Sequence, residues 1–186
     1  MVIDIFKEIL VVIYRLPIAI LLILTVMLIF GGLLFWLHFF KGKNKSFASL
    51  SALLISAFLI LAVTVLSRDF GSVSELSLVP FSSWRDYFNG NNAEYLRTNI
   101  FNMLLFMPFG ASLYAVGYPN LSVKKCLIIT VTAAFVLSFG VELAQFLLQC
   151  GETETDDVIH NVLGAVLGML LAGNVCDLYG SCIKRN

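Results

Sequence analysis

The chain has 186 residues, 59% of them hydrophobic and 13% charged, with a formal net charge of zero at neutral pH and a mean hydropathy of +0.92. So apolar a composition excludes an ordinary soluble domain, and with 12 basic residues balanced by 12 acidic ones and no long basic tract there is no footing for nucleic-acid binding. Four cysteines, at positions 126, 150, 176 and 182, follow no Cys-x-x-Cys spacing and read as small apolar residues within helices.

Met1 to Tyr14 sets Asp4, Lys7 and Glu8 among Val2, Ile3, Ile5, Phe6, Ile9 and Leu10, which predicts an amphipathic helix at the headgroup level over residues 1–15. Beyond Arg15, long apolar stretches alternate with short polar ones. This predicts an all-α polytopic membrane helical bundle, a single domain over 16–176 followed by a tail at 177–186. About five transmembrane helices are expected, at roughly 16–40, 47–67, 100–117, 126–148 and 158–176, since about 20 apolar residues cross a ~30 Å hydrocarbon core. Pro108 withholds the amide that would bond the carbonyl of Leu104, so a kink is expected in the third span.

Lysines fix the expected orientation. Lys41, Lys43 and Lys45 follow the first span, Lys124 and Lys125 the third, and Lys184 and Arg185 the fifth, which puts these regions and the carboxyl terminus in the cytoplasm. The amino terminus, the loop 68–99 and the acidic loop 149–157 then lie outside. Within the long loop, Trp84, Tyr87, Phe88 and Tyr95 favour the membrane interface. The stretch 70–83 has no helical period, and a shallow re-entrant segment and a plain external loop stay open as alternatives.

Polar side chains in this setting single out a candidate site. On the fourth span Ser138, Glu142, Gln145 and Gln149 recur along one helical face; on the fifth, Asp157, Asn161, Gly164 and Gly168 repeat the spacing. A short loop joins these spans, so the stripes are expected to meet in a hairpin, with the glycines letting its two backbones approach. Glu142 falls roughly 9 Å inside the outer boundary at 1.5 Å per residue. Gln145, Asn161 and Asn102 are expected to hydrogen-bond it, with Arg97 as a nearby cation, and Asn99 and Asn102 close a third side. The candidate polar cluster is therefore Arg97, Asn99, Asn102, Glu142, Gln145, Asp156, Asp157 and Asn161, opening outward; Glu152 and Glu154 read as a solvated loop.

No metal is expected. Glu152, Glu154, Asp156, Asp157 and His160 crowd together but match neither a calcium loop nor a His-Glu-x-x-His pair. No cofactor motif occurs, and no Gly-x-Ser-x-Gly elbow marks a hydrolase. The leading expectation is a non-enzymatic protein of the bilayer whose pocket takes an amphipathic ligand. An intramembrane enzyme using Glu142, Asp157 and His160 is one alternative, and a small transporter or channel subunit, which would need a dimer, is another.

The string Asn99-Ile100-Phe101-Asn102-Met103-Leu104-Leu105-Phe106-Met107-Pro108-Phe109-Gly110, then Glu142-x-x-Gln145, then Asp156-Asp157-x-x-x-Asn161-x-x-Gly164-x-x-x-Gly168, resembles the VanZ-like family of bacterial membrane proteins, as does Leu78-Val79-Pro80-Phe81. The likeness covers about residues 45–172. It implies the bacterial cytoplasmic membrane, a role in lowering susceptibility to the lipid-tailed glycopeptide teicoplanin, and a lipid-linked wall precursor or lipoglycopeptide as partner. The family pattern also has an Arg followed three residues later by Asp ahead of the Asp-Asp pair. Here those places are Gly151 and Glu154, so the resemblance implies that a cation beside Glu142 is missing.

Overall fold

The computed structural model describes residues 24–25, 28–29, 31–33, 35–36, 42–68, 71, 76–90, 93–118, 120–151 and 153–184. The expected interfacial segment 1–15, most of the first span, and Glu152 lie outside the described residues. Where it is described, 24–36 is helical.

The remaining chain forms α1 (Gly42–Leu61), continued by a π-helical turn at Ala62–Leu66, then a short strand β1 (Leu76–Ser77), α2 (Ser82–Gly90), α3 (Ala93–Gly117), α4 (Val123–Leu148), β2 (Thr153–Glu154) and α5 (Thr155–Lys184). Among the described residues four stretches are long and apolar enough to cross a membrane: Asn44–Leu66, Glu94–Gly117, Val123–Leu148 and Thr155–Leu178. The protein is thus an all-α, multi-pass membrane bundle. Helices α3 and α5 begin earlier than the expected spans because their first turns are polar: Glu94, Arg97 and Asn99 on one, Asp156 and Asp157 on the other. Hydropathy does not register such turns, although they are fully helical. Helix α3 also runs through Pro108 without a break in its assigned helix.

Backbone contact joins α3 to α5, the most extensive helix pairing in the described fold. A Cβ on Gly164 would overlap the carbonyl oxygen of Met103, one on Gly168 that of Met107, and one on Gly110 that of Ala165. The two pairs 103/164 and 107/168 advance together, so α3 and α5 run parallel. The glycine stripe therefore faces α3, in contrast to the expectation that it would join the fourth and fifth spans. Small residues every fourth position admit this approach, and Cα–H groups then point at carbonyl oxygens.

Helix α4 lies antiparallel alongside. Ser122 caps its start by accepting from the amide of Lys125 at 3.4 Å, and Gln149 ends it in the left-handed conformation (φ 50°). The amides of Gln149 and Cys150 return to the carbonyls of Phe146 and Gln145, at 3.3 and 3.1 Å, which is a Schellman closure. Gln149 has thereby left the helical face on which the sequence placed it. Phe135, Val136, Phe139, Leu143 and Leu147 of α4 are exposed, as a bilayer-facing surface requires, while Ala134, Ser138, Val141, Glu142 and Gln145 are buried.

Beyond the helix ends, the long loop crosses to the acidic loop. β1 pairs in parallel with β2, Leu76 opposite Thr153 and Ser77 opposite Glu154. The segment after it turns straight into α2 at Ser82.

Gly168→Ala is expected to cost ~1–3 kcal/mol, because a methyl group there meets backbone that cannot yield. Gly140→Ala, which meets only open space, is expected to be neutral or slightly stabilising through helix propensity. Thermal melts of the two variants in detergent, followed by size-exclusion fluorescence, compare them directly.

Candidate functional site

The first turn of α5 carries two adjacent acids with separate tasks. Asp156, 1% exposed, turns toward the long loop and accepts from the backbone amide of Phe81, from the amide of Ser83 at 2.8 Å and from the Ser83 hydroxyl at 2.5 Å. That hydroxyl in turn accepts from Asn99 Nδ2 of α3 at 3.0 Å. Asp156 thus does for α2 what an N-cap residue normally does from within a helix's own sequence. Phe81 is held at φ 61°, a conformation that costs a non-glycine residue ~1–3 kcal/mol. Hydrogen bonds to a charged acceptor contribute ~1.5–3 kcal/mol each, so the three made by Asp156 outweigh the strain.

One turn on, His160 is 2% exposed and both its ring nitrogens are engaged. Trp84 Nε1 donates to Nε2 at 2.8 Å, and Nδ1 lies 2.7 Å from the carbonyl oxygen of Asp156. An indole N–H can only donate. Nε2 must therefore accept, and the proton sits on Nδ1, directed at the Asp156 carbonyl. The ring is a neutral strut between α2 and α5.

Asp157 faces inward. It accepts from Asn102 Nδ2 of α3 at 2.6 Å. Across the seam Glu142, 5% exposed, accepts from the backbone amide of Glu154 at 3.0 Å, and Asp157, Arg68 and Glu154 all lie within electrostatic reach of its carboxylate. Deeper, Asn161 Nδ2 donates to Ser138 Oγ at 2.9 Å, binding α5 to α4. Gln145 Nε2 donates to the backbone oxygen of Thr64 at 2.9 Å.

This last contact depends on the π-helical turn. In an α-helix the Thr64 carbonyl would take the amide of Arg68, but here that amide goes to Val65 at 3.2 Å and Ser67 N reaches back to Ala62 at 3.0 Å. The carbonyl of Thr64 is released for Gln145, in keeping with the frequent appearance of π turns at functional positions. Arg68 then leaves the helix with its guanidinium over Gly151, where a Cβ would overlap Nη1. The side chain at 68 occupies the space that a side chain at 151 would need.

Several expectations are corrected by these contacts. Gln145, Asn161 and Asn102 do not donate to Glu142 but to Thr64, Ser138 and Asp157 respectively. Arg68 is a cation acting on Glu142 that the sequence did not single out; Arg97 is half-buried on α3. Asn99 joins the Asp156 and Ser83 group rather than the Glu142 side. Ser83, Trp84 and Thr64 were also missed as site partners, being brought in by the folding of distant segments, whereas Ser138 belonged to the expected stripe. The one available signal was Leu78-Val79-Pro80-Phe81, which immediately precedes the capped helix. Among the described residues no three His, Cys, Asp or Glu side chains group as a metal set.

The VanZ/LLP1 family model matches residues 27–176. Protein VanZ of Enterococcus faecium is 34% identical over 99 residues, 53% of this chain and 52% of that protein, so the chain spans about half the length of the curated relative it matches. No solved structure matches.

Asp156→Ala is expected to destabilise the outer loops by ~3 kcal/mol or more, since it strands buried donors and releases the strained turn. Limited proteolysis of the membrane-embedded protein should then cut after Arg85, with Asp156→Asn intermediate because it retains one acceptor oxygen.

Proposed function

The chain belongs to the VanZ/LLP1 family, and from that premise we propose that it is a non-enzymatic membrane protein that recognises an amphipathic ligand and lowers glycopeptide susceptibility. The ligand class is a lipid-linked wall precursor or a lipid-tailed glycopeptide such as teicoplanin. Its head group meets the polar layer of Asn102, Asp157, Glu142 and Arg68, and the lysine-rich loops orient that layer to the outside of the cytoplasmic membrane.

The observation that carries this reading is the closeness of that layer to an apolar groove. A cleft of about 700 Å³ runs between the 28–36 helix, α1 and α3, lined by residues such as Leu33, Ala52, Ile55, Pro108 and Ala111. Pro108 follows Asn102 by six residues and Leu59, also in its wall, precedes Thr64 by five. At 1.5 Å per residue the groove begins within ~10 Å of the polar layer along the helix axes. Its size lies within the usual range for ligand pockets of ~300–1,000 Å³. Polar groups beside an apolar trough suit a molecule with a head and a tail.

The enzyme alternative loses His160 as a base. His160 has no free nitrogen, its Nε2 lone pair being held by Trp84 and its Nδ1 proton by Asp156. Asp157 and Glu142 alone lack a positioned nucleophile, and nothing in the geometry favours this reading over binding.

Purified protein in nanodiscs should bind a fluorescent lipid-tailed glycopeptide more tightly than its tail-less counterpart. Asp157→Ala is expected to weaken binding of both by ~tenfold, the equivalent of ~1.4 kcal/mol, whereas Ala111→Phe, which fills the groove, weakens only the tailed form. Equal affinity for the two forms, or resistance in cells that survives both substitutions at normal expression, would sink the proposal.

A further inference from the structure

We propose that Leu78, Val79, Pro80 and Phe81 form an apolar wedge set into the lipid leaflet around the start of α5, which makes a phospholipid surface the partner of the long loop. All four residues are exposed, and Leu78, Val79 and Phe81 each keep more than half of their surface uncovered. A single exposed apolar residue carries little meaning, whereas a contiguous run marks contact with something other than water.

Fixed points on both sides set the depth of this run. Before it, Ser77 pairs with Glu154, the residue ahead of α5. At its end the Phe81 amide donates to Asp156; just beyond, the Ser83 hydroxyl accepts from Asn99 and Trp84 donates to His160. Asn99 adjoins the apolar stretch of α3 that starts at Ile100, and Asp156 and His160 bracket Val158, where that of α5 starts. The run therefore lies at the level where chain suited to hydrocarbon begins. Helix α2 then leads back out, because it ends at Gly90, close in sequence to the start of α3 at Ala93. At 1.5 Å per residue Ala93 stands about 9 Å above Asn99. A segment that enters along β1, turns at Phe81 and leaves along α2 has the shallow re-entrant form, one of the two left open by the sequence of this stretch.

Continuity with the lipid-facing surface of the bundle selects the occupant. Leu147 and Leu148 at the end of α4 and Leu66 at the end of the π turn are exposed apolar residues, and the Gly71 amide donates to the carbonyl of Leu148 at 3.4 Å, which lays the long loop over that helix end. From the wedge, Trp84, Tyr87 and Phe88 lead up α2 in mutual ring contact, as aromatic residues do between acyl chains and water. Apolar side chains seated ~5–10 Å into the boundary of head groups and acyl chains hold a segment to a membrane surface. Asp156 fixes the backbone on which the wedge rests. The wedge stands on this placement alone and does not depend on the ligand reading above.

The full chain in phosphatidylcholine nanodiscs, with no glycopeptide present, tests it. In a Cys182→Ser background Cys126, Cys150 and Cys176 are buried, so Leu78→Cys and Asn89→Cys each accept an environment-sensitive dye at one exposed position, and the background protein serves as the blank. The dye at 78 is expected to be quenched severalfold more by a nitroxide on the lipid acyl chain than the dye at 89, and severalfold less by iodide in the buffer. Val79→Cys gives the same reading should Leu78→Cys melt below the background protein. Iodide quenching at 78 equal to that at 89 means a loop in water and overturns the proposal. Protection at 78 from both quenchers means that protein covers the run, a second copy or another chain, and overturns it as well. Failure of the chain to bind a lipid-tailed glycopeptide, with the lipid quenching at 78 intact, counts against the ligand reading alone.

Discussion

Gly164 and Gly168 present bare Cα atoms to the carbonyl oxygens of Met103 and Met107, and Gly110 does the same for Ala165 from the opposite helix. Inside hydrocarbon no hydrophobic force drives one helix against another, so α3 and α5 associate through packing and weak Cα–H···O contacts that only such an approach allows. The reciprocal arrangement fixes both the rotation and the axial register of the pair. Everything polar at their outer end follows from it. Asn102 reaches Asp157 at 2.6 Å with two short side chains, a distance open only to backbones already close. Asn99, one turn above Met103, is carried toward Ser83 and so toward Asp156.

At that end the two loops become a second packed layer. The parallel pairing of Leu76–Ser77 with Thr153–Glu154 satisfies backbone groups of both loops against each other. Asp156 then converts a strained turn at Phe81 into the start of a helix. Trp84 of that helix donates to His160, so α2 is held to α5 by a carboxylate and a ring a single turn apart. A protonated imidazole would set N–H against N–H at this contact, which ties the docking of α2 to a neutral His160.

The bundle itself was legible because each span depends on local composition: apolar stretches of sufficient length, with lysines between them. The stripe Ser138, Glu142, Gln145 was legible for a similar reason, since helical spacing decides which residues share a face. Partners across helices were not. Whether Gln145 meets Glu142 or Thr64 depends on a π turn at Ala62–Leu66, and nothing in Ala-Val-Thr-Val-Leu announces one. Gly164 and Gly168 were recognised as a contact surface, yet spacing does not say against which neighbour. Asp156 and Asp157 looked alike as adjacent acids, but a step of about 100° around the helix sends one to the loop and the other to the seam.

Arg68 shows how local and distant information combine. The resemblance implied an arginine where Gly151 stands, and read along the chain that left Glu142 without a cation. In three dimensions the loss is made good from α1. The π turn redirects the chain after Val65, Arg68 extends over the acidic loop, and the bare Cα of Gly151 leaves its guanidinium the room that any side chain there would take. An arginine restored at 151 without removal of Arg68 would place two guanidinium groups in one space. Positive charge acts on Glu142 from position 68, and the absence of a side chain at Gly151 leaves that guanidinium its space.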